Sequence, residues 1–297
     1  MHADTSGCHE NFVHFERLRD SLVDRRPCSR LQQGNSLTKK EGKPLMVKSV
    51  LQFLLVSSAL MATQLGQADN HATMPAYGGV EVYACDFAEG KDMDDLMKVA
   101  KKWDKWAKKN HSKAYAGHVL TPFFSDGSDA GVYWVGFSDS FSDQGIVLEE
   151  WLEKGGDLQK EFDSVIPCNS HSQLAWVRVR DVAEAPLSTG VVDFAGCSLL
   201  PAATQEKMAA ADAEMNRFLD QVGITARVYR WYPMQGNPAD GLDFYQARWH
   251  DSLAKKGSDN DLYVRNGGVQ LENKLYDPIM KCFGGPSALF TAVGGPE

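Results

Sequence analysis

The feature that most constrains this chain is a self-match at one nearly constant offset. Shifted by 112 residues, Cys85 falls on Cys197, Asp139-Ser140 on Asp251-Ser252, and Gly155-Gly156 on Gly267-Gly268. Trp103 and Trp106 fall on Met215 and Phe218, so apolar meets apolar. Pro122 meets Pro233 after a one-residue slip, and after a two-residue insertion Phe162-Asp163 meets Tyr276-Asp277 and Cys168 meets Cys282. Unrelated halves would not hold one register over this length. The reading is an internal duplication, with one repeat over 77–183 and a second over 187–297.

Each half carries the same succession of periodicities. Val80–Phe87 alternates and is rich in β-branched and aromatic residues, which predicts a strand. Met93–Asn110 sets Leu96, Ala100, Trp103 and Ala107 on one helical face. Tyr115–Phe124 and Gly131–Ser138 read as strands joined by the turn Ser125-Asp126-Gly127-Ser128-Asp129. A helical stretch over Ile146–Lys154 breaks at Gly155-Gly156 and resumes to about Val165, and Gln173–Val182 closes the unit as a strand. The second half repeats the pattern: Val191–Cys197, Thr204–Val222, Ile224–Met234, Leu242–His250, a broken helical region to Met280, and Ala288–Val293.

The order is β-α-β-β-α-β, the split βαβ arrangement. Two such units in one chain resemble the dimeric α/β-barrel superfamily in fused form. The expected fold class is therefore α+β: two tandem ferredoxin-like repeats forming an intrachain dimeric α/β-barrel. The resemblance implies two four-stranded sheets facing each other, with helices outside. It also implies that one chain can supply the pairing that single-unit relatives reach by dimerising, so a monomer is expected. Members of that superfamily include cofactor-free monooxygenases of aromatic polyketides, small isomerases, and haem enzymes of the chlorite dismutase and dye-decolourising peroxidase type. The resemblance admits each of these without choosing among them.

Cys8 and Cys28 lie near the N-terminus, and Cys85, Cys168, Cys197 and Cys282 lie in the repeats. Four cysteines allow three pairings. In a ferredoxin-like unit the first strand and the second helix end at the same edge of the sheet, which selects Cys85–Cys168 and Cys197–Cys282. No C-x-x-C spacing suggests a metal or a redox pair instead.

Residues 46–68 run from Met46-Val47-Lys48 through an apolar core at about Val50–Ala62 to Gly66-Gln67-Ala68. A positive start, an apolar run of about a dozen residues and a small-x-small end make up a secretory signal. The 45 residues before it are expected to be a non-native upstream extension, with Met46 as initiator. The expected location is periplasmic or secreted, which suits disulfides. Beyond residue 68 the chain has 22 basic and 33 acidic residues, a net charge of about −11. That balance argues against nucleic acid as a partner, and against a membrane once the signal is cleaved.

No H-x-x-x-H, H-E-x-x-H, G-x-S-x-G or phosphate-loop spacing occurs, so the motifs predict neither metal nor cofactor. What remains are polar and aromatic residues on strands. In the closing strand of the first half, Val177 and Val179 suit the helix side, which turns Trp176, Arg178 and Arg180 toward the barrel. Arg227, Tyr229 and Trp231 share one strand face. Further on, Gln246, Arg248 and His250 share a face with Phe244, opposite Tyr245, Ala247 and Trp249. With His118 and Trp134, these residues are the candidate pocket. They would supply aromatic walls, Arg for an anionic or carbonyl group, and His for proton transfer. Glu81 and Asp193 match across the halves and are expected to be structural ion pairs or rim positions. The function expected is binding of a small apolar or aromatic molecule between the sheets. The alternatives are a cofactor-free oxygenase, a haem enzyme, or an interaction module whose barrel is filled by its own side chains.

Overall fold

A computed structural model describes residues 75–127, 129–182, 187–236 and 241–295. The expected extension and signal at 1–68 lie outside them, as do Cys8, Cys28 and His71.

The described chain runs β1 (Tyr77–Cys85), α1 (Met93–Asn110), β2 (Ala116–Phe124), β3 (Val132–Ser138), α2 (Phe141–Lys154), α3 (Gly156–Asp163) and β4 (Cys168–Arg180). The same order follows as β5 (Thr189–Leu199), α4 (Gln205–Val222), β6 (Arg227–Gln235), β7 (Phe244–His250), α5 (Leu253–Arg265), α6 (Gly268–Tyr276) and β8 (Met280–Gly294). The strands close into one barrel in the order β1-β3-β2-β8-β5-β7-β6-β4. Every neighbouring pair is antiparallel. The spans 77–183 and 187–297 thus share a continuous sheet, joined where β2 pairs with β8 and β4 with β6.

Local chemistry explains the helix boundaries. Asp92, Ser140, Thr204 and Ser252 each stand in extended backbone before α1, α2, α4 and α5, and each accepts a hydrogen bond from the amide three residues on. These contacts satisfy donors that a helix start leaves unpaired. Ser140 and Ser252, matched in sequence, thus do the same work. The Gly-Gly pairs also break both helical regions, but by different means. Gly267 takes φ +81°, open to glycine, whereas Gly155 stays right-handed with Trp151 against it, so that a Cβ there would meet the indole at 2.4 Å.

Strands β4 and β8 start earlier than periodicity predicts, at Cys168 and Met280 rather than Gln173 and Ala288. Their first halves, Cys-Asn-Ser-His-Ser and Met-Lys-Cys-Phe-Gly-Gly-Pro, have no two-residue apolar alternation. Pairing with β1 and β5 holds them extended, and it places Cys85 opposite Cys168 and Cys197 opposite Cys282. Both pairs are disulfides.

Two apolar layers result. Inside the barrel, Val80, Leu120, Val135, Leu174, Val192, Trp231, Trp249 and Phe290 pack together. Outside it in the first half, Leu96, Ala100, Trp103, Val119, Trp134, Val147 and Phe162 join α1, α2 and α3 to the sheet. In the second half the outer layer divides into a patch around Met215, Leu219 and Ile224 and another around Cys197, Phe244 and Met280.

Candidate functional site

The strand alternation that builds the inner layer also leaves it incomplete at one end. There the barrel encloses a cavity of about 570 Å³, within the range of small-molecule sites. Both halves line it. Val82, Leu120 and Leu174 come from one, Phe194, Trp231 and Ala288 from the other. The exposed residues Ser170, Phe283, Gly284 and Gly285 mark its mouth.

Its polar groups are few. Asp129 accepts from the Tyr133 hydroxyl at 3.4 Å. Ser172 is committed to the Gly236 carbonyl at 2.8 Å. The Tyr245 phenol also lines the wall. Trp231 is 4% exposed, and its indole Nε1–H has no hydrogen-bond partner. Among the described residues no Lys, Arg or His lines the cavity.

The floor is aromatic. Trp231 lies 5.6 Å from Phe137 and 5.2 Å from Phe194, and Trp249 lies 4.6 Å from Phe290. His118 fills the space between Phe137, Trp249 and Phe290, with ring distances of 5.3, 5.8 and 6.2 Å. Its Nδ1 is buried without a partner, and burial pushes its pKa down to about 4, so the ring is neutral at pH 7. Below this floor Trp176 donates to the Ser138 carbonyl at 3.0 Å and meets the Tyr229 ring edge-on. Arg178 caps that end, 5.9 Å from the Trp176 ring and paired with Asp181 at 2.7 Å. Arg227 is buried beside Tyr229, whose phenol feels its charge.

The expected pocket residues therefore separate. Trp231 lines the large cavity, while His118, Trp176, Tyr229, Arg178 and Arg227 gather at or below its floor. The others face the helix layer. Trp134 packs against Trp103 and Phe162 and donates to the Tyr115 hydroxyl at 3.2 Å. Arg180 donates to the Ile224 carbonyl and pairs with Asp220, both at 2.7 Å. The register between β4 and β6 shifts between Arg178 and Arg180, and the extra residue reverses the alternation, so Arg180 leaves the lumen. Gln246, Arg248 and His250 line a separate cavity of about 60 Å³ under α4, α5 and α6. There Arg248 pairs with Glu272 at 3.4 Å, and His250 Nδ1 lies 3.1 Å from Asp259. The opposite face of β7, bearing Tyr245, Ala247 and Trp249, points inward. The expected Arg and His chemistry is thus absent from the wall of the large cavity, where Tyr133, Tyr245 and Asp129 stand instead. Tyr245 was visible in the alternation of β7 as the alternative face. Asp129, in a turn, carried no sequence signal.

A haem held by one of the described histidines does not fit this arrangement. His118 has aromatic rings around it rather than open space. His111 and His250 border cavities of about 60 Å³ each, and His171 lines none of the three. Among the described residues no group of three or more His, Cys, Asp or Glu side chains is placed to hold a metal.

No family model and no curated protein matches the chain. Among solved structures it overlaps a mutant chlorite dismutase from Candidatus Nitrospira defluvii, with 14% identity over 74% of this chain and 92% of that one, at a TM-score of 0.44. It overlaps an anthrone oxidase-like protein with 10% identity over 74% and 94%, at a TM-score of 0.41. A haem-binding protein from Thermus thermophilus gives 8% identity over 74% and 92%, at a TM-score of 0.42. At these values neither a shared ligand nor a shared reaction follows. The likeness to these structures is one of fold and extends no further.

Proposed function

We propose that this protein binds a small, mainly apolar or aromatic molecule in the mouth of its barrel. The observation that carries this reading is the cavity of about 570 Å³ with the unpartnered Trp231 indole N–H on its wall. A buried donor without an acceptor is unfavourable by about 1–3 kcal/mol. A ligand carbonyl, ether or hydroxyl oxygen placed there would remove that penalty while its apolar body covers Leu120, Leu174 and Phe194. Among the described residues the wall holds no cation, and Asp129 is part of it, so the ligand is neutral or basic rather than acidic. An enzymatic reading would have to route proton transfer through Asp129 or a phenol.

The same reading takes the chain as an exported monomer built by duplication. Two disulfides suit an oxidising compartment. The shared element order and the matched caps Ser140 and Ser252 support the duplication. The β2–β8 and β4–β6 pairings close the barrel within one chain, which supports the monomer.

Titration with Nile red, a neutral apolar fluorophore, tests the cavity. The wild-type chain should bind it saturably with quenching of tryptophan emission. Ala84→Phe, which fills the cavity from β1, should weaken binding by about tenfold or more. Equal binding by wild type and a folded Ala84→Phe chain would sink the proposal. Native mass spectrometry of protein from its source would report a retained ligand. The intact mass would report a mature start after Ala68 and two disulfides.

A further inference from the structure

The barrel's outer face in the first half holds a second cavity, of about 60 Å³, between β1, β3 and the helices α1, α2 and α3. That is several times the space one water molecule requires. Its walls are aromatic: Trp103, Trp134, Trp151, Tyr83 and Tyr115. One charged side chain of fixed sign stands among them, Glu81, at 4% exposure.

Glu81 is well supplied with donors but has no partner of fixed positive charge among the described residues. The Tyr115 hydroxyl donates to its Oε1, and His171 Nε2 lies 2.9 Å from its Oε2. Gly136 sits across the strand pair from Glu81, and a Cβ there would meet the Tyr115 hydroxyl at 1.7 Å. Glycine therefore makes room for the phenol to reach the carboxylate. Burial, aided by the Glu81 charge, raises both Tyr83 and Tyr115, so both remain neutral donors. His111, also in the wall, is pushed down by burial and is spoken for by Glu150. His171 is stacked on Tyr83 at 3.8 Å with nearly half its side chain exposed. No Lys or Arg pairs with Glu81 among the described residues.

The second half shows what the first lacks. Asp193 occupies the position in β5 that Glu81 occupies in β1, opposite β7 and β8 as Glu81 is opposite β3 and β4. Asp193 has its own ammonium, Lys256 of α5, which also reaches Ser287 at 2.9 Å. At the offset of 112, Lys256 corresponds to Gln144, and across the later insertion Ser287 corresponds to Gln173. Gln173 donates to Gln144 at 2.5 Å, so a neutral amide pair stands where the other half has a lysine and a serine. The carboxylate has been kept and its cation removed, beside a cavity walled by indoles and phenols.

From this we infer that the cavity takes a small organic cation, an alkylammonium head, with Glu81 as counter-charge and aromatic faces as walls. Aromatic rings around a desolvated quaternary ammonium are a strong recognition device, because each ring presents its negative face to the cation. Trp151 and Gln159, half-exposed, and Cys168, exposed, border the opening through which the head would enter.

The test uses the full disulfide-bonded chain and two probes of the same shape, choline and 3,3-dimethylbutan-1-ol, followed by tryptophan fluorescence and calorimetry. Choline should bind saturably, and its neutral isostere at least about tenfold more weakly. Glu81→Gln, which keeps the side-chain shape and one acceptor oxygen, should abolish the preference for charge. Trp151→Leu should weaken choline alone. Ala84→Phe, which fills the lumen on the other side of the sheet, should leave choline binding unchanged. The inference is overturned if the isostere binds as well as choline, if neither binds, or if Ala84→Phe removes choline binding. Should Glu81→Gln fail to fold, the comparison of the two probes on the unmodified chain still decides.

Discussion

Reduction of the two disulfides should remove most of this chain's folding stability, and by nearly equal amounts for each. Cys85–Cys168 and Cys197–Cys282 span 83 and 85 residues. In the chain-entropy account, closing a loop of that length withholds about 15 cal/mol/K from the unfolded ensemble, or about 4.5 kcal/mol at 25 °C. The loops follow one another without overlap, so the two losses add to about 9 kcal/mol. A domain's total stability is about 5–15 kcal/mol. Urea denaturation followed by tryptophan fluorescence measures this. With a slope of about 2 kcal/mol/M, loss of one bridge moves the midpoint down by about 2 M. The paired variants Cys85→Ala/Cys168→Ala and Cys197→Ala/Cys282→Ala should each show that shift, and the fully reduced chain should be largely unfolded in buffer. A reduced chain with an unchanged midpoint would refute the reasoning. So would two variants of very different stability, because equal loops demand equal losses and a lopsided result would place the effect in local packing.

Two further outcomes follow from buried ionisable groups. Burial lowers the His118 pKa to about 4, against about 6.5 in an unfolded chain. As pH falls, the unfolded chain takes up the proton first, so stability is complete above about pH 6.5 and is lost toward pH 4, by up to about 3 kcal/mol. Burial shifts His111 and His250 in the same direction. Urea midpoints measured from pH 7 to 4 should therefore fall less steeply for His118→Phe, and an unaltered slope would count against the burial argument. Asp212 of α4 grips the buried Arg230 guanidinium with bonds of 2.8 and 2.6 Å and accepts from Tyr276 at 2.9 Å. Asp212→Ala strands that guanidinium and should destabilise the chain by about 3–5 kcal/mol, while Asp212→Ala with Arg230→Met should recover much of the loss. A double variant no better than the single would show that the buried charge is not the cause.

The fold was largely legible because its determinants are local. The 3.6-residue face of Met93–Asn110 and the Gly-Gly breaks each act within a few residues of themselves and stand where the pattern puts them, whereas α2 begins at Phe141 behind its Ser140 cap, ahead of the expected Ile146. The site was much less legible. In most soluble sheets alternation names the buried face, but here the barrel lumen covers one face and the helix layer the other. Both faces of β7 are consequently covered. Periodicity separates Tyr245, Ala247 and Trp249 from Gln246, Arg248 and His250 without saying which set faces the lumen. The register shift between Arg178 and Arg180 compounds this, since one extra residue moves a side chain to the opposite layer.

By itself, then, the amino-acid order determined the succession of elements and the two alternating faces of each strand, because these depend on spacing along the chain, whereas the cysteine pairing came only through the resemblance to a ferredoxin-like unit. Closure of eight strands decided the rest. It chose the inward face, left open the cavity that Trp231 lines, and set Glu81 among indoles without the lysine that Asp193 has. Those are distances between residues far apart in sequence, and they have no value until the barrel closes.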